Sequence, residues 1–124
     1  MDSIVGSGRP IAVIYFGDGS TSISDRDRVV LKNVLLLQQQ QGGRLRVVGH
    51  ASERTASSDN AQSQAANDKV SLARADAVSR ALVGLGAPDG SVAVSAVGAT
   101  QPLYDESMPT GEAGNRRVEV FLDR

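Results

Sequence analysis

Hydrophobic positions come in two rhythms along the chain. Pro10-Ile11-Ala12-Val13-Ile14-Tyr15-Phe16 is an almost unbroken apolar run closed by Gly17-Asp18-Gly19-Ser20. A run so short, ended by turn residues, predicts a strand buried on both faces. A helical rhythm follows: Val30, Val34 and Leu37 fall on one face, with Leu31 and Leu35 widening it. Ser24 suits the N-cap, with Asp27 three residues on, and Gly42-Gly43 ends the helix. Leu45, Val47 and Val48 predict a second short strand that ends at Gly49-His50.

The segment Ala51 to Ala66 is polar and holds no Gly or Pro. It is longer than most connections in compact domains, and it reads as a surface loop, in part helical. A second helix is predicted from about Asn67, its N-cap, to Leu85, with Gly86 and Pro88 as the stop. Val92, Val94 and Ala96 alternate on one side of a third strand, and Val118, Val120 and Leu122 on one side of a fourth. Gly98 to Gly114, with Pro102 and Pro109, reads as the loop between them.

The predicted order is β-α-β-α-β-β. That makes an α/β (α+β) two-layer sandwich, a mixed four-stranded sheet covered by two main helices. The first β-α-β unit should be parallel. Residues 1–9, rich in Gly and Ser, read as a flexible segment ahead of one domain over 10–124.

One residue breaks the pattern of the second helix. Arg74 lies about 40° from Val70 on the helical wheel, inside the stripe formed by Ala77, Ala81 and Leu85. A guanidinium cannot shed its proton, and burying it without a partner is expensive. It needs an anion, or it must snorkel out past its neighbours, and planar bidentate pairing with a carboxylate is what arginine does best. That carboxylate could belong to this chain or to a ligand, and one arginine can serve both.

Composition narrows the function. The net charge of -1 and 3% aromatic content offer neither a cationic face nor a base-stacking platform, which argues against nucleic acid. There is no cysteine, so disulfides and thiolate metal sites are excluded, and the single histidine, His50, excludes a multi-histidine site. No cofactor is indicated. His50 has no Ser-His-Asp or Cys-His set around it, so it reads as structural and the chain as no enzyme. Gly17-Asp18-Gly19-Ser20 lacks the lysine and spacing of a phosphate-binding loop and reads as a turn. The longest apolar stretch falls well short of the roughly 20 residues of a membrane helix.

Four blocks together carry a resemblance. Asn67-Asp68-Lys69-Val70-Ser71-Leu72-Ala73-Arg74-Ala75-Asp76-Ala77-Val78 resembles the N-x-x-L-S-x-x-R-A-x-x-V signature of OmpA-like domains. Val47-Val48-Gly49-His50-Ala51-Ser52 is similar to their G-H-T-D segment, Gly98 with Pro102 to G-x-x-x-P, and Gly114-Asn115-Arg116-Arg117-Val118-Glu119-Val120 to N-R-R-V-E. The blocks stand in the family order and span about Ile11 to Phe121.

The resemblance implies a non-catalytic periplasmic module that binds peptidoglycan through diaminopimelate in the stem peptide. Such a module ties an outer-membrane protein or lipoprotein to the cell wall, and the resemblance leaves room for a homodimer. It implies Arg74 for the ligand carboxylate, with Asn67, Ala51 and one of Arg116 and Arg117 nearby. The family aspartate that receives the ligand ammonium is replaced here by Ser52, which can accept a hydrogen bond and offers no charge. Glu53, Asp59, Asp68 and Asp18 are the candidate substitutes. The alternative reading is an OmpA-like fold with a lost or changed ligand, acting as a protein-interaction or structural module.

Overall fold

The structure is a computed structural model that describes residues 8–17, 19–51, 60–98 and 114–123. Strand β1 spans Ala12–Tyr15, helix α1 Asp25–Gln41, strand β2 Arg44–Gly49, helix α2 Asn60–Gly84, strand β3 Val92–Ala96 and strand β4 Arg117–Asp123. They build one mixed sheet in the order β1-β4-β2-β3. β4 runs antiparallel to both β1 and β2, while β2 and β3 are parallel. β1 and β2 therefore point the same way, as expected of the first β-α-β unit, but β4 lies between them.

The core fills the layer between sheet and helices. Ile14, Leu45, Val47, Val118, Val120 and Leu122 from the sheet meet Leu31 and Val34 of α1 and Val78 and Leu82 of α2, all at most 4% exposed. Burial of aliphatic side chains on this scale is the main stabilising term in a domain of this size. The alternation of β4 is as expected, with Val118, Val120 and Leu122 all inward. In α1 the buried centre is Leu31, Val34 and Leu35, with Val30 and Leu37 at its margin. The expected ends of α1 are present. Ser24 Oγ accepts from Asp27 N at 3.0 Å, and Gly42, at φ 71°, donates to Gln38 O.

Two expectations are corrected. β1 is not buried on both faces: it is an edge strand, with Ile14 1% and Tyr15 52% exposed. A continuous apolar run does not distinguish central from edge placement. β3 is the other edge, and Val94 is exposed although it shares the register side of Val92. Finally, α2 begins at Asn60 rather than Asn67, so Asn67 lies inside the helix and is not its N-cap. Ala61, Gln62, Gln64, Ala65 and Ala66 are good helix formers, and they propagate the helix through a stretch with little apolar periodicity.

Candidate functional site

The inner face of α2 presents Asn67, Ser71, Arg74 and Val78 in succession, a spacing that keeps all four on one side of a helix. They are 5%, 0%, 0% and 0% exposed. α2 can lie this close to the sheet because Gly49 ends β2. A Cβ there would come within 1.9 Å of Ser71 O. Gly98 is equally constrained: its φ is +59°, and a Cβ would meet Asp68 Oδ1 at 2.6 Å. Gly98 N donates to Ser71 Oγ at 3.0 Å, and Gly98 O accepts from Ala51 N at 2.8 Å. The ends of β2 and β3 are thereby clamped to the middle of α2.

Arg74 occupies the centre of this junction. Its Nε donates to Ser20 O at 3.1 Å, Nη2 to Gly17 O at 3.1 Å and Nη1 to His50 O at 3.4 Å. The guanidinium carbon lies 5.6 Å from the centroid of the Phe16 ring, within cation–π range. Carbonyls and a ring face orient the fork while contributing no formal charge. Arg74 thus joins the loop after β1 to the end of β2.

Both arginines of the fourth block reach the same end of the sheet, on opposite sides as their adjacency requires. Arg116 shares the parity of the inward Val118. Its Nε donates to Phe16 O at 3.1 Å, so it braces the loop that Arg74 holds. Arg117 points away from the helices, is 2% exposed, and has its Nε 3.5 Å from Glu119 Oε2. His50 lies beside them, 2% exposed, with its Nε2 2.7 Å from Glu119 Oε1. Burial first, and the Arg117 charge second, push the His50 pKa below its ordinary 6.5, against an opposing pull from Glu119. A neutral ring donating Nε2–H to Glu119 suits that environment. Nδ1, the acceptor of that tautomer, is buried with no hydrogen-bond partner among the described residues.

Asn67 Oδ1 is likewise buried with no partner among the described residues. Buried acceptors are rarely left unpaired, so this atom has a place for an incoming N–H. Of the sequence-predicted site, Arg74, Asn67, Ala51 and Arg116 come together at one end of the sheet, and Arg117 lies behind it. Asp68 is exposed and stands over Gly98. Asp18, Ser52, Glu53 and Asp59 lie outside the described residues. The sequence reading missed Phe16, Ser71 and Glu119. An aromatic residue ending a strand, a serine four residues after Asn67 and an acid paired with a lone histidine were the available signals. Two grooves among the described residues lie elsewhere. One of about 430 Å³ is bordered by Ile23, Arg28, Ala77 and Arg80, and one of about 420 Å³ by Gln38, Arg44 and Pro88.

An open mixed sheet with two helices on one face, its strand ends gripped by a buried helix arginine, defines the class of fold. The sequence matches the OmpA family over residues 15–116, and the chain belongs to that family. A stretch of 118 residues, 94% of the chain, is 30% identical to the peptidoglycan-binding protein ArfA of Mycobacterium tuberculosis (strain ATCC 25618 / H37Rv). The chain spans 33% of that protein's length. The peptidoglycan-associated lipoprotein of Burkholderia pseudomallei superposes with a TM-score of 0.76 at 24% identity, over 88% of this chain and 87% of that one. The C-terminal domain of Helicobacter pylori MotB does so with a TM-score of 0.76 at 18% identity, over 92% and 85%. The cell wall anchor of the Pseudomonas aeruginosa type VI secretion system gives 0.72 at 25% identity, over 90% and 80%. As a member of that family, the domain is not an enzyme.

Proposed function

We propose that this domain binds peptidoglycan non-covalently through the free end of a stem peptide and tethers a larger envelope protein to the cell wall. The observation that carries the reading is the pairing on one helix face of a fixed cation, Arg74, with a buried acceptor that has no partner among the described residues, Asn67 Oδ1. The two residues are separated by two helical turns, about 10 Å along the axis. A zwitterionic amino-acid terminus such as that of diaminopimelate offers the matching carboxylate and ammonium. Kinship with a peptidoglycan-binding protein adds support. On this reading the domain works in the periplasm of an outer-membrane-bearing envelope.

Arg74 is 0% exposed, so contact with a ligand requires groups that cover it to give way, among them the carbonyls of Gly17, Ser20 and His50. Binding that waits on such a change associates more slowly than the 10⁵–10⁷ M⁻¹s⁻¹ or so typical of preformed sites. Ser52 in place of the family aspartate supports a second reading, a domain that keeps the fold with a changed ligand.

Co-sedimentation with purified sacculi separates the two. The wild type should pellet, and Arg74→Lys, which keeps charge but loses the planar fork, should pellet at least about tenfold less. A folded wild type that stays in the supernatant and shows no chemical-shift change with diaminopimelate-containing peptides would sink the peptidoglycan reading. Ser52→Asp should tighten binding to those peptides, because a charge-assisted bond is about twice as strong as a neutral one.

A further inference from the structure

Three atoms of His50 are held at once, and they belong to different parts of the molecule. Its backbone N donates to Arg117 O at 2.8 Å, and its carbonyl accepts from Arg74 Nη1 at 3.4 Å. Its ring Nε2 sits 2.7 Å from Glu119 Oε1. Glu119 has its other oxygen 3.5 Å from Arg117 Nε and is itself only 14% exposed. The carboxylate is on the sheet face turned away from the helices, whereas Arg74 comes from α2 on the other face. Residue 50 is the link between them. The ring held by the carboxylate and the carbonyl held by Nη1 belong to one residue, so a shift of the ring can reach the carbonyl through the backbone of residue 50. This bond is the longest of the three described for Arg74 and the one supplied by β2, so it is the one most sensitive to a small rotation.

We propose that Glu119 is a positioning residue for Arg74, acting through His50 from the opposite face of the sheet. The structural coupling stands on the geometry alone. Its consequence for ligand affinity rests on the peptidoglycan reading above.

Among the described residues, the titratable and charged groups around His50 are Glu119 and Arg117 on β4, Tyr15 of β1 in register with Arg117, and Arg74 of α2 at the carbonyl. β3, Val-Ala-Val-Ser-Ala, brings none. Protonating the ring places an N–H on Nδ1, where no described acceptor stands, and draws Glu119 away from Arg117. The carbonyl at residue 50 then shifts against the Arg74 fork. The change falls below pH 6.5, because the folded-state value is lowered.

The test follows the Arg74 Nε–H resonance of the whole chain by ¹⁵N NMR from about pH 7.5 to about pH 4.5, beside sacculus co-sedimentation at each pH. In the wild type the Arg74 resonance should move with the His50 ring titration. Glu119→Gln should displace it already at neutral pH and weaken sacculus binding about fivefold. His50→Gln keeps an N–H for Glu119 and cannot titrate. It should lose the pH step and bind more tightly than His50→Leu. An Arg74 resonance that ignores the His50 titration, or that is unmoved in folded Glu119→Gln, overturns the coupling. Should Glu119→Gln not fold, the wild-type titration and the two His50 variants decide. If the resonance follows His50 but the wild type never pellets with sacculi, the coupling stands and the peptidoglycan reading falls.

Discussion

At the scale of single residues, the site depends on polar atoms placed where water cannot serve them. Asn67 Oδ1 contributes nothing visible to the folded state, since it is buried without a described partner. Replacing Asn67 by Ala should therefore change stability by no more than about 1 kcal/mol in a urea melt, while weakening sacculus binding. A large stability loss with unchanged binding would give the residue a purely structural role. Gly49→Ala tests the opposite kind of constraint. Its Cβ would collide with Ser71 backbone at 1.9 Å, which no rotamer change relieves. The expected cost is about 3 kcal/mol, at the upper end for overpacking, read as a lower urea midpoint. Arg74 was legible from the helical wheel, because a cation in an aliphatic stripe breaks an otherwise regular pattern. Its described partners were not legible, because Gly17, Ser20 and His50 offer backbone carbonyls that every residue type carries.

Helices and strands were read with uneven success, for a physical reason in each case. α1 announced both ends, since capping depends on neighbours in sequence: Ser24 bonds Asp27 N, and Gly42 takes a positive φ. Ser24→Ala should cost about 1 kcal/mol, measurable as a fall in thermal midpoint. The first turns of α2 were hidden because Asn60–Ala66 is polar and lacks the apolar repeat that reveals an amphipathic helix. Asn67 looked like a cap for the same reason: it stands where the apolar repeat begins, not where the helix does. The edge positions of β1 and β3 depend on which strands pair, which alternation along one strand does not encode.

The whole molecule responds to pH through His50. Its pKa is lowered in the folded state mainly by burial, then by Arg117, so below pH 6.5 the unfolded chain binds a proton that the folded chain resists. Stability is complete above that value and is lost progressively as pH falls from 6.5 toward the lowered one. A urea midpoint that drops between about pH 7 and pH 5 in the wild type, with a smaller drop in His50→Gln, is the expected result. Equal drops in both proteins would assign the acid sensitivity elsewhere. Asp123, its pKa lowered by the hydrogen bond from Arg46, acts in the same direction only below 3.8, and its exposure to solvent makes it a minor contributor.

Sequence alone determined the element types, the capped first helix, the inward side of β4 and the anomalous arginine, because each follows from spacing between near neighbours. The four blocks that carry the family resemblance are likewise local in sequence. Only the tertiary structure decided that β4 divides β1 from β2, that α2 packs against Gly49, and that Glu119 and Arg74 meet across the sheet through one histidine. Those relations join residues far apart in the chain, and they arise from strand order and close packing, on which local periodicity carries no information.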